Sequence, residues 1–133
     1  MDANALQQLL STRVLLKGDF SGANLAGQDF SDGLSAKGAE FNGVDFTGAS
    51  ATKADFAMSF FQACDFSSAD FSGASLVRAD CTECRFAATR LQNADLTRCS
   101  VRATDLKTVL FANNRMEMTY LANSDLSGQR FPG

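Results

Sequence analysis

The sequence predicts an all-β solenoid, a chain wound into square coils that stack along one axis. Three observations predict it: a large apolar residue returns every five residues, a small residue stands two positions before it, and turn-forming residues follow it. Five is the period of neither an α-helix nor a plain strand. A short repeat of this kind builds a solenoid, in which each unit buries its apolar residue only against its neighbours.

The large apolar residue of each unit is its centre, and the other positions are numbered from it. Of the nineteen centres from Phe41 to Phe131, seventeen are Phe, Leu, Val or Met, and Phe60 is the only phenylalanine outside the register and its upstream continuation. Position −2 is mostly Ala, and position −1 holds ten of the twelve aspartates. Positions +1 and +2 are mostly Ser, Thr, Gly, Ala, Asn and Gln, which favour turns.

These positions predict how the coil is built. Residues two apart lie on the same side of an extended segment, so the centre and position −2 both face inward. A turn after each centre bends the chain by about a right angle, and four bends close a coil that stacks on the next at about 4.8 Å. The aspartate at −1 points outward and bonds its own backbone.

The centres sort into four inner columns of stacked side chains, because each coil spans twenty residues. The register breaks once, between Phe30 and Phe41, where Gly33 is the extra residue if Leu34 takes position −2 and Ala36 a centre. Glycine is the expected residue at such a bulge. The predicted core ladder consists of Phe41, Phe46, Phe56, Phe61, Phe66, Phe71 and Phe86.

Several units match a known motif. Residues 21–25 (Ser-Gly-Ala-Asn-Leu), 67–71 (Ser-Ser-Ala-Asp-Phe), 72–76 (Ser-Gly-Ala-Ser-Leu) and 92–96 (Gln-Asn-Ala-Asp-Leu) resemble the A(D/N)LXX repeat of the pentapeptide repeat family. The resemblance implies a right-handed quadrilateral parallel β-helix and a bacterial protein. We expect a single domain over 1–133, with repeats over 18–131 and a helical cap over 2–12.

The two ends are expected to differ. Residues 2–12 place Ala3, Leu6, Leu9 and Leu10 at helical spacing after an N-cap at Asp2, so a short helix should cover the first coil. No comparable cap follows the last coil, and family members that dimerise through their C-terminal coils imply a homodimer here. Alternatively, Pro132 and a distorted last coil are enough to cover this end, or the native chain is longer. The candidate dimer end consists of Met116, Leu121, Leu126 and Phe131.

Composition argues against most chemistry. The chain has no histidine and four cysteines without C-x-x-C spacing, so we predict no catalytic site, metal site or cofactor. Cys64 and Cys84 fall in one −2 column, where packing is expected and a disulfide is the alternative. The net charge of −3 is too mild and of the wrong sign for direct nucleic-acid binding. Without a long apolar run or a signal peptide, we expect a cytoplasmic protein that does not enter membranes.

The leading functional hypothesis is a non-enzymatic module or scaffold that binds a protein partner along its rod-like surface. Large apolar residues stand where the repeat expects polar ones, which is typical of contact surfaces. Scattered surface hydrophobes, or part of a dimer seam, are the alternative interpretation. The candidate interaction residues are Met58, Phe60, Leu110, Met118 and Tyr120.

Two further hypotheses follow from the resemblance. Quinolone-resistance members of the family bind DNA gyrase as acidic imitations of DNA, and Asp45, Asp65, Asp105 and Asp125 form a candidate acidic face here. A rod of about 27 Å would need on the order of 16 negative charges to match duplex DNA. The net charge of −3 falls far short of that, and Arg85 interrupts the face. A regulator or a secretion-system effector or adaptor is the third possibility.

Overall fold

The computed structural model describes residues 3–15, 18–102 and 104–130. A helix, α1 (Ala3–Thr12), precedes a square β-helix, which confirms the predicted fold class. One side of the coil carries a parallel sheet of four short strands, in the order β1 (Glu40–Asn42), β2 (Phe60–Gln62), β3 (Asp80–Thr82) and β4 (Ser100–Arg102). The coils are joined on their other sides by single parallel bridges. Among the described residues, no helix is long and apolar enough to cross a bilayer.

A residue with left-handed backbone makes the bend at nearly every corner. At most corners the carbonyl of the centre accepts a hydrogen bond from the N–H three residues later. The N–H of Ala23, for example, donates to the carbonyl of Phe20 at 3.0 Å. The residue at +2 lies between them and has a positive φ, which is 73° at Gly22. This is a type II turn, whose third residue favours glycine because a Cβ is crowded there. The turn-forming residues of the sequence therefore lie where the chain bends.

Aromatic rings fill the interior of the first coils. The seven predicted core phenylalanines are all buried, with at most 5 % of their surface exposed. Within a column the rings stack, as Phe46 and Phe66 do at 5.0 Å and 9°. Between columns they meet edge to face, as Phe66 and Phe71 do at 5.2 Å and 85°. Both arrangements are favourable for aromatic pairs, and the small residues at −2 leave room for them.

Outward aspartates hold the corner backbone in place. The Oδ1 atom of Asp45 accepts the N–H of Thr47 at 2.8 Å, and eight other aspartates at −1 accept the N–H two residues later in the same way. At four of the five corners where that second residue is serine, its hydroxyl adds a bond. At Asp19 the hydroxyl and N–H of Ser21 lower the pKa of the carboxyl below its usual value. Aspartate at −1 thus acts as the sequence predicts.

The one-residue break lies where it was predicted. Before it, paired residues are twenty-one apart, as Val14 and Ser35 are, whereas Ser35 and Asp55 beyond it are twenty apart. Gly33 has a φ of 84°, and Leu34 takes position −2 with no exposed surface. The extra residue is accommodated by one glycine in a left-handed conformation, and the register resumes at once.

Helix α1 covers the N-terminal end of the coil. Leu10 in its last turn is only 6 % exposed and belongs to the core. Arg13 follows the helix and donates from Nη1 to the carbonyl of Asp29 at 3.0 Å. The first coil already begins at Val14, earlier than the predicted residue 18, because Leu15 continues the five-residue register upstream. The predicted cap residue Asp2 lies outside the described residues.

Polar side chains occupy the four −2 positions of the last described coil. Its four −2 positions turn inward, and each donates a hydrogen bond to the carbonyl of a centre in the preceding coil, 23 residues earlier. Earlier coils carry mostly Ala or Cys at these positions. The change to polar residues in the last described coil is therefore visible in the sequence, although the sequence pattern alone did not lead us to predict these hydrogen bonds. The four residues are Asn114, Thr119, Ser124 and Gln129.

Candidate interaction surface

The structure brings four of the five candidate interaction residues to one corner. Phe60 in β2 and Tyr120 stand in the same −1 column, and Met58 and Met118 occupy the turn position just before it. All four are well exposed, from 45 % at Met58 to 74 % at Met118. Leu110 stands in the column of Arg90, two sides around the square coil, so it belongs to the opposite side.

Two arginines lie between these apolar pairs. Arg78 and Arg98 fill the same turn position in the two intervening coils, so the ladder runs Met, Arg, Arg, Met along the rod. We call this surface the Met–Arg corner, and it consists of Met58, Phe60, Arg78, Arg98, Met118 and Tyr120. The sequence pattern did not single out these two arginines, although their twenty-residue spacing from the methionines is visible in it.

The long side chains of the Met–Arg corner stand on strained backbone. All four ladder residues have left-handed φ values, from 56° at Met118 to 59° at Met58 and Arg78. A left-handed conformation costs a residue other than glycine about 1 kcal/mol. The other corners use mainly Gly, Ala, Ser, Asn or Asp at this position, with Lys53 and Glu83 as isolated exceptions. The fold therefore gives no reason for four long side chains in one ladder.

The arginines of the Met–Arg corner keep their charge uncompensated. Within the described part of the chain, neither Arg78 nor Arg98 forms an ion pair, whereas Arg102 on the adjacent sheet binds Asp80 at 3.1 Å. Two positive charges are thus available between two exposed apolar groups.

A shallow groove borders the Met–Arg corner on the sheet side. It has a volume of about 220 Å³, and Phe60 forms one wall. Gln62 of the same strand and Thr82 of β3 contribute polar groups, and the Arg102–Asp80 pair also lines the groove. The exposed ring of Phe60 therefore has both apolar and hydrogen-bonding neighbours.

The candidate acidic face is interrupted twice. Asp45 and Asp65 are stacked neighbours, but Arg85 takes the next position of the column. Further along the column, the Nζ atom of Lys107 lies 3.7 Å from Oδ2 of both Asp105 and Asp125. The negative charge is therefore compensated over half of the face.

The four cysteines are free and buried. Cys64 and Cys84 donate from Sγ to the carbonyls of Phe41 and Phe61 at 3.0 and 3.3 Å. The neighbouring Cys64 thiol and burial raise the pKa of Cys84, which keeps it protonated and unreactive at neutral pH. Among the described residues, no group of histidine, cysteine or acidic side chains is arranged to hold a metal ion. Packing is therefore the interpretation that the geometry favours for these thiols.

The candidate dimer end is only partly covered. Met116, Leu121 and Leu126 are partly buried and pack against the core, in contrast to the buried centres of the earlier coils. Phe131 lies outside the described residues. Pairing of two copies through this end stays a prediction.

The chain matches a family model and is similar to solved structures. The model of pentapeptide repeats matches residues 35–67, 64–102 and 89–128, with eight copies. No match was found among curated protein sequences. Rfr23, a pentapeptide repeat protein from the cyanobacterium Cyanothece 51142, is similar in structure with a TM-score of 0.75 at 17 % identity, over 92 % of both chains.

Two other solved structures are less similar. For alr5209, a pentapeptide repeat protein from Nostoc Pcc 7120, the TM-score is 0.49 at 21 % identity, over 90 % of this chain and 94 % of that chain. For QnrB1, a plasmid-mediated fluoroquinolone resistance protein, it is 0.48 at 16 % identity, over 87 % and 85 %. The family model spans well over half of the sequence, and the coil geometry agrees with it. The chain therefore belongs to the pentapeptide repeat family.

Proposed function

We propose that this protein is a non-enzymatic interaction module that binds a protein partner along the Met–Arg corner. The observation that carries the proposal is the ladder of four long side chains on left-handed backbone, flanked by two exposed aromatic rings. The fold would be more stable with glycine or asparagine at those turns. Strained residues that persist without benefit to the fold point to a function.

Exposed aromatic residues give this corner the means to bind. Phe60 and Tyr120 are 54 % and 59 % exposed, and each has a methionine beside it. Aromatic and arginine side chains supply most of the energy in protein interfaces, and methionine adapts its shape to a partner. The rod holds these groups on paired backbone, so little order has to be gained on binding.

The DNA-mimic hypothesis receives less support from the geometry. Its candidate face has two of four aspartates bound to Lys107 and an arginine in the middle of the column. DNA presents an unbroken series of phosphates. The Met–Arg corner accounts for more of the exposed apolar residues and unpaired charges than the acidic face does.

A paired substitution tests the proposed function. Phe60→Asp with Tyr120→Asp should fold normally, because aspartate is the usual residue at −1 and Asp80 already holds that position in the same column. Leu110→Asp is the matched control, since Leu110 is 44 % exposed in the same kind of slot on the opposite side. After affinity purification has identified a partner, its affinity for the three proteins is measured by calorimetry.

The double variant should lose at least tenfold in affinity, and the control should bind like wild type. Equal affinity for all three proteins would remove the Met–Arg corner from the function.

A further inference from the structure

We infer that the Met–Arg corner takes an extended acidic peptide segment, with large apolar residues at its first and fifth positions and an acidic residue at the third. This inference rests on the proposed function and names the chemistry of the partner. It follows from three features of the corner: the spacing of its apolar groups, the charges between them, and its flat, regular backbone.

Spacing selects an extended segment. Met58 and Met118 are three coils apart, as are Phe60 and Tyr120, which corresponds to about 14 Å along the rod. In an extended chain, residues four apart lie on the same side and about 13 Å apart. In a helix, a 14 Å rise takes about nine residues, and residues nine apart lie on opposite sides of the axis. Only the extended form therefore presents both anchors to the corner at once.

Charge selects an acidic residue between the anchors. The third residue of such a segment lies about 6.6 Å from the first, between the levels of Arg78 and Arg98. Neither guanidinium forms an ion pair within the described residues, so both can bind a carboxylate. The nearby Asp80 is bound by Arg102 and adds little repulsion.

The surrounding charge also favours an acidic partner, although the whole protein is acidic. Residues 71–133 carry eight basic and six acidic side chains, whereas residues 1–70 carry four and nine. The two coil levels on either side of the acidic residue, those of Arg78 and Arg98, both belong to the basic half. A basic segment would instead meet two unpaired arginines, and repulsion would exclude it.

The test starts from an unbiased probe. A displayed library of random twelve-residue peptides is selected on the wild-type protein, and the enriched clones are then screened against the Phe60→Asp, Tyr120→Asp double variant and the Leu110→Asp control. Enriched sequences are synthesised with a fluorescent label, and their dissociation constants are measured by anisotropy at low and high salt.

Enriched peptides should carry large apolar residues four apart with Asp or Glu midway, and bind the control like wild type. The double variant should bind them at least tenfold more weakly. Replacing both arginines, Arg78→Gln with Arg98→Gln, should weaken binding about tenfold and remove most of its salt dependence.

Other results separate the two claims. Peptides that need Phe60 and Tyr120 but are basic, or lack the spacing of four, would overturn the acidic-segment inference and leave the proposed function intact. Peptides that bind the double variant as well as wild type, or a selection that enriches nothing, would overturn both.

Discussion

Removing one ring from the middle of the aromatic core should cost this protein a large part of its stability. Phe66 is 2 % exposed and contacts four other rings. It stacks on Phe46 at 5.0 Å and on Phe86 at 4.9 Å, so it joins three successive coils. Phe66→Ala should therefore lie at the upper end of the range for buried phenylalanine, about 5 kcal/mol. Domains of this size have only about 5–15 kcal/mol of stability in total.

The assay is urea unfolding followed by far-UV circular dichroism, since the chain has no tryptophan and only one tyrosine. Phe66→Leu should cost about 1 kcal/mol, because Leu106 already occupies the same column. Phe60→Ala is the surface control: it removes the same side chain from the preceding five-residue unit, but the ring of Phe60 is 54 % exposed, so the cost should stay below about 1 kcal/mol. If Phe66→Ala and Phe60→Ala reduced the unfolding free energy equally, the stacked aromatic core would not be the source of stability.

Three other predictions follow from the corners and the last coil. Arg98→Gly relieves the strain of a left-handed φ of 57°, and this gain exceeds the entropy that glycine loses on folding. Urea titrations should therefore show an unfolding free energy about 0.5 kcal/mol higher, while partner binding becomes weaker. Asn114→Ala removes three hydrogen bonds from the last described coil, the shortest at 2.6 Å, and should cost about 1–2 kcal/mol in the same assay. Hydrogen bonds from Thr47 lower the pKa of Asp45, so the stabilising contribution of this carboxylate is complete above the unfolded pKa of about 3.9 and is lost as the pH falls below it. The melting temperature should therefore stay level from pH 7 to 5 and fall below about pH 4. The fall should be less steep in Asp45→Asn.

Much of the fold could be predicted because each structural role repeats. The centre, position −2 and position −1 each have a local requirement: bulk, small size, or a carboxylate that bonds the next turn. Their recurrence at five residues fixes the coil, and the single extra residue at Gly33 follows from a simple count. Even the stacking of Phe46 on Phe66 could be read in advance, since vertical neighbours are always twenty residues apart.

The candidate site could be predicted only in part. The twenty-residue coil places Met58, Phe60, Met118 and Tyr120 at one corner and Leu110 two sides away, which is where the structure has them. The exposure of each side chain could not be predicted, because it depends on how neighbouring side chains pack across the coils.

The sequence by itself determined the square β-helix, its columns and its buried rings, since these depend on neighbours at fixed intervals along the chain. Only the tertiary structure decided which charges are paired and which are free. Lys107 reaches two aspartates and Arg102 reaches Asp80, whereas Arg78 and Arg98 form no ion pair among the described residues. That outcome depends on the direction of long side chains across neighbouring coils, and five-residue periodicity does not specify it.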